Sequence, residues 1–239
     1  MFTQSFRLVP FKTWLLLLAG PILFLVAIVG VSVSLAFRGM DATLIAERVP
    51  LLMPQILLGA LLGLGFLILF VPQLDLIWAI PGATKTFRDL AIGMLVGALL
   101  AFSYLYWISP TIELLQRTVG DYVPPGSVLP AISGSIGLFF IANVLLAPLI
   151  EETLYRGYAI PLLTTHLGLA WAVALTCLSF GLLHWPGGVW YMLLTGVVAG
   201  GAFSGLFLWR DGILAPFAAH LTLNVIEFIY AWRSHEISA

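Results

Sequence analysis

Charge is what this sequence has least of. Asp, Glu, Lys and Arg make up 9% of its 239 residues, where an ordinary soluble domain has about a quarter. With 61% of residues hydrophobic, the chain has too few polar groups to cover a water-facing surface. Cysteine is nearly absent as well. Cys177 stands alone, which excludes an internal disulfide, and its apolar neighbours point to plain packing. A net charge of −1 leaves no basic field for nucleic acid and no acidic partner to match. A cleavable leader is not expected either. The first apolar run, residues 13–37, follows Arg7 and Lys12 but exceeds the roughly 7–15 residues of a leader core, and no small-x-small site follows it.

What the sequence has instead is long apolar runs, at 13–37, 51–72, 89–109, 131–163, 168–183, 189–208 and 213–232. A bilayer core takes about 20 apolar residues per helix, and lipid cannot satisfy an open backbone. The expected fold is all-α, a polytopic transmembrane helix bundle. The run 131–163 would make about 50 Å of helix, so Pro148 is expected to break it. That gives seven or eight spans. The longest connection is 108–128, with Pro124-Pro125-Gly126 as its breaker. Residues 1–128 form N-terminal spans of unassigned role, and 129–234 form the functional core. Small-xxx-small pairs at Gly59/Gly63, Gly93/Gly97, Gly196/Gly200 and Gly201/Gly205 are expected to let helices approach closely. Arg7, Lys12, Lys85 and Arg88 lean toward an inside N-terminus, a bias nearly cancelled by Arg38 and Arg48.

Against this background, IEETLYRGY at 150–158 stands out. Each charge at a span centre costs about 2.5–3.5 kcal/mol on the insertion scale. Glu152 and Arg156 are four apart in the better order for a helical ion pair. Glu151 points about 100° away round the helix and needs another partner. His184 ends FGLLH, and His220 and Asn224 share a face in HLTLN. A carboxylate, two imidazoles and an amide can activate a water and stabilise an oxyanion. Glu151, His184 and His220 are also a ligand set that zinc (Zn2+) accepts, with an open position. Helical rise brings Glu151 and His184 to similar depth. His220 reaches that level only if HWPGG dips into the membrane or the helices tilt, so a wet cavity reached by that loop is expected.

Simpler readings exist for several of these residues. His166 and His235 read as interfacial side chains, and so does Glu227, three residues beyond Asn224. Trp185 suits an aromatic belt. What favours function is the concentration of ionisable groups in the second half of the chain.

EETLYR, FGLLH and HLTLN, in this order, resemble the EExxxR, FxxxH and HxxxN motifs of the CAAX-processing and bacteriocin-processing (CPBP, or Abi) family of intramembrane proteases. The resemblance covers roughly 130–232. It implies a peptidase with Glu151 as the water-activating carboxylate and His184 beside it. It implies His220 and Asn224 as oxyanion donors, and Glu152 and Arg156 as organisers. Family mechanisms with a metal and with a bare glutamate are both open; the zinc helix HExxH is absent. The partners implied are membrane lipid and a peptide or prenylated protein, in a bacterial plasma membrane. The rival readings are a non-catalytic bacteriocin-immunity or scaffold protein and a proton- or ion-coupled transporter. For the transporter, ionisable groups confined to one half fit poorly with matched inverted repeats.

Overall fold

The structure is a computed structural model and describes residues 8–71, 74–125 and 135–238. Each described apolar run becomes helix, and there is no strand among the described residues. The longer helices are α1 (Phe11–Phe37), α2 (Ala42–Leu51), α3 (Met53–Ile68), α4 (Ala83–Thr118), α5 (Ile136–Leu167), α6 (Leu169–Leu183), α7 (Val189–Arg210) and α8 (Leu214–Ser238). Asp41 starts α2 by accepting the Leu44 N–H at 2.9 Å, the usual service of an N-cap carboxylate.

Among the described residues, five helices are long and apolar enough to cross a membrane, or six if α2 and α3, bent by 66°, count as one span. The expected seven or eight are not reached, for two reasons. Helix α6 has only 15 residues, about 22 Å, which is short of the roughly 30 Å hydrocarbon core. And Pro148 does not break α5, which runs unbroken through it. Residues 131–134 of that apolar run lie outside the described residues. The connection expected at 108–128 is also partly helix. Ser109–Thr118 prolongs α4 to 36 residues, and the breaker Gly126 is outside the described residues.

Widened helical turns explain how α4 and α5 survive their prolines. Pi-helical stretches at Tyr104–Ile108, Phe140–Leu146 and Thr153–Ala159 each end two residues before a proline: Pro110, Pro148 and Pro161. A proline ring crowds the carbonyl four residues back and offers it no N–H. Widening the preceding turn moves that carbonyl aside, so the helix continues unbroken through the proline.

Helix α5 is the central element. Half of its apolar window is buried, against 17% for α1. Around it, α4 packs closely on α8 because Gly93 and Gly97 lie against backbone. A Cβ at either would stand 2.3 Å from the Ala215 or Ala219 carbonyl oxygen. Helices α6 and α7 meet through Gly181 and Gly196 in the same manner. Of the other glycines expected at interfaces, Gly63 and Gly200 contact side chains, but Gly59, Gly201 and Gly205 face open space. Their positions therefore carry no close packing within this chain. Buried Asp89 ties α4 to α7, accepting from Arg210 at 2.7 Å and from Lys85 at 3.1 Å.

Candidate active site

The central segment of α5 sets the site. A regular turn, Ala147–Glu152, is held between two pi-helical stretches. It carries Glu151 and Glu152 on different faces, and both are buried. Glu152 faces the protein. Its Oε1 accepts from Arg156 NH1 at 2.8 Å, and neither side chain is exposed at all. The second guanidinium nitrogen donates to the Gly200 carbonyl at 3.0 Å. The guanidinium also lies 4.5 Å from the Phe180 ring centre and 5.3 Å from that of Phe203. A buried charge of this kind is tolerated only when paired and hydrogen-bonded, and here it has both, plus two aromatic faces.

The same Glu152 oxygen holds His220, whose Nδ1 lies 2.9 Å away. The imidazole stacks on Phe203 at 4.8 Å and 21°. Its Nε2 then faces Glu151, 4.0 Å from Oε2. With Nδ1–H given to Glu152, Nε2 can donate only from the doubly protonated ring. That condition bears on any role as an oxyanion donor.

His184 is fixed by the end of α6. Its Nδ1 lies 2.9 Å from the Phe180 carbonyl. A carbonyl only accepts, so Nδ1 carries the hydrogen and Nε2 presents a bare lone pair. Because α6 is short, this group ends up inside the bundle rather than at its rim. The HWPGG turn behind it is strapped from outside. Asp121 accepts the Val189 N–H at 3.0 Å and the Trp190 N–H at 3.4 Å, at the start of α7. Trp190 Nε1 donates to the Gly120 carbonyl at 2.9 Å, and the Tyr122 hydroxyl donates to the Trp185 carbonyl. Desolvation works to raise the Asp121 carboxyl, but these backbone donors outweigh it and hold it below its ordinary value. Gly188, at φ 103°, lies so close to Asp121 that a Cβ would stand 2.5 Å from its oxygen. Trp185 packs edge-on against Phe24.

Asn224 has a partner that the helix chemistry supplies. The Ala147 N–H reaches back five residues to the Ala142 carbonyl. In that register the next donor belongs to residue 148, a proline, so the Asn143 carbonyl is orphaned. Asn224 Nδ2 donates to it at 2.7 Å, pinning α8 to α5 about two turns before Glu151.

Two adjoining cavities result. A polar one of about 90 Å³ is lined by Glu151, His184, His220 and Asn224, and also by Tyr104, Asn143, Tyr191 and Glu227. An apolar one of about 290 Å³ lies beyond it, lined by Phe24, Met53, Leu57, Leu61 and Leu183 among others. Glu151, His184, Asn143 and Tyr191 line both. Glu151 Oε2 is buried there without a hydrogen-bond partner.

The expected site residues thus fall into two groups. Glu151, His184, His220 and Asn224 share the cavity wall; Glu152 and Arg156 stand behind it. Glu227 is not an interfacial side chain. It is half-buried and faces the polar cavity, and its i+7 spacing from His220 was the signal for this. His166 does lie away from the cavities, at the end of α5; the side chain of His235 is outside the described residues. Tyr104 and Tyr191 had no signal in sequence, since aromatics abound in spans. Among the described residues no group of three His, Cys, Asp or Glu is arranged to hold a metal ion.

The sequence that carries this site has a counterpart among known families. Residues 133–226 match the family described as type II CAAX prenyl endopeptidase Rce1-like. That segment is similar to this family. The match contains all three motifs and leaves out Tyr104, Asp121 and Glu227. No curated protein and no solved structure matches the chain significantly. With its apolar helices, the chain is an integral, multi-pass membrane protein, and residues 133–226 are similar to a protease family.

Proposed function

We propose that the chain is an intramembrane endopeptidase of the CAAX prenyl type, cutting a peptide bond of a membrane-associated peptide or protein. One observation carries this reading. The unpartnered oxygen of Glu151 opens onto the small polar cavity where the bare Nε2 of His184 also points. In the proposed reaction, Glu151 takes a proton from a water while its oxygen attacks the peptide carbonyl carbon. His184 Nε2 accepts a hydrogen bond from the same water and fixes its direction. The carbonyl oxygen becomes an oxyanion, stabilised by Asn224 and by His220 in its doubly protonated form. The C–N bond then breaks, and the proton held by Glu151 goes to the departing nitrogen. Glu152 and Arg156 keep His220 oriented. The apolar cavity beside Glu151 suits an apolar side chain or a prenyl chain next to the bond cut. The proposed steps use only these side chains and the water.

The test is cleavage of a farnesylated CAAX peptide by purified protein, with and without a chelator. Glu151→Gln should lower kcat by about 10²–10⁴, the usual worth of a general base. Full turnover in that variant removes Glu151 as the base. Loss of wild-type activity with chelator would replace the glutamate mechanism by a metal one. Absence of cleavage by the wild type favours the immunity or scaffold reading.

A further inference from the structure

The mechanism uses only one end of the polar cavity. The other end is formed by Tyr104 and Ser109 of α4 and by Glu227 and Phe228 of α8. Glu227 follows Asn224 by three residues and His220 by seven on a continuous helix, so it lies about 4.5 Å and 10 Å further along the axis. No hydrogen bond or ion pair engages its carboxylate among the described residues. Beside it, the Tyr104 hydroxyl is buried and also without a hydrogen-bond partner; the residue is 3% exposed. Two hydrogen-bonding groups thus line one cavity, Glu227 with no protein hydrogen bond and Tyr104 with only the Thr195 hydroxyl close by, an arrangement that costs free energy unless a ligand completes it. Glu151 and Glu227 are the cavity's acidic side chains, and a bound cation would favour their ionised forms. The one nearby arginine, Arg156, is committed to Glu152 and Gly200.

We propose that Glu227 and Tyr104 form a cation-binding subsite, which selects substrates carrying a primary ammonium or guanidinium group close to the bond cut. The carboxylate would take the charge and the phenol oxygen one N–H. An extended chain advances about 3.3–3.6 Å per residue, so a Lys or Arg within about two residues of the scissile carbonyl would reach it. This inference rests on the protease reading. It makes specificity bipartite, with an apolar group on one side of Glu151 and a cation on the other.

The experiment uses the full-length protein in detergent and internally quenched farnesylated peptides. Lys, Gln or Glu is placed in turn at two positions on either side of the bond cut. At one position the wild type should favour Lys over Gln by about tenfold in kcat/KM, with Glu poorest. In Glu227→Gln the Lys-to-Gln ratio should fall to near one, and Tyr104→Phe should reduce it. An unchanged ratio in Glu227→Gln overturns the proposal. A second measurement does not need turnover. In a Glu151→Gln background, n-pentylamine should raise the melting temperature, and adding Glu227→Gln should remove that rise. Protection by the amine without cleavage of any peptide would retire the protease reading and keep the subsite. Cleavage with neither Lys preference nor protection would do the reverse.

Discussion

Arg156 meets a carboxylate, a carbonyl and two ring faces, while its Nε stays without a hydrogen-bond partner. Removing it leaves Glu152, at zero exposure, with only the His220 N–H against its charge. Arg156→Ala is therefore expected to destabilise the bundle by about 3–5 kcal/mol, the cost typical of breaking a buried pair. A melt in detergent checks this, and a wild-type melting temperature would dismiss the pair as a structural element. Asp121 gives a pH-dependent counterpart at the surface. Its carboxyl is held below the ordinary value of 3.8, so the strap it makes is fully present above that pH. As pH falls through the lower folded value, the carboxylate is protonated and the strap is lost. Amide exchange at Val189 and Trp190, compared with Asp121→Asn at each pH, should lose its excess protection only below about pH 4.

At the scale of the element, the pi-helical turns of α5 connect proline to function. Pro148 leaves the Asn143 carbonyl without its helical donor, and Asn224 takes that place. Pro148→Ala restores an N–H that competes with Asn224. The helix should keep or gain stability while Asn224 is released and the turn bearing Glu151 changes register. An unchanged or higher melting temperature together with at least about tenfold lower kcat is expected, a separation that simple loss of packing does not produce. Wild-type kcat in this variant would show that the pi-helical register is not needed for the chemistry. The same element shows why sequence reading misjudged the span count. A proline in a long apolar run reads as a break, but a widened turn absorbs it. Likewise α6 is apolar enough to read as a span, yet it is too short for one and serves to seat His184 within the bundle.

For the molecule as a whole, the decisive contact is α4 against α8. It brings Tyr104 to Glu227 and fixes the helix carrying His220 and Asn224. Gly93→Val would push a side chain into the Ala215 carbonyl and Ala218. A loss of about 1–3 kcal/mol from overpacking is expected, with activity falling too. Gly201→Ala, which meets nothing within 4 Å, should instead gain up to about 0.5–1 kcal/mol, since glycine inside a helix is the poorer residue. Parallel melts of the two variants test this assignment of glycine roles.

Much followed from sequence because its causes are local. Apolar composition demands helices in lipid, the i, i+4 spacing pairs Glu152 with Arg156, and the three motifs select the residues that line the cavity. Whether Pro148 would kink α5, how deep His184 would sit and which way Glu227 would face depend on neighbours distant in the chain. Those outcomes rest on turn widening, on the length of α6 and on the close approach of α4 to α8. Only packing decides them, because each carbonyl or carboxylate takes whichever partner the folded bundle brings within reach.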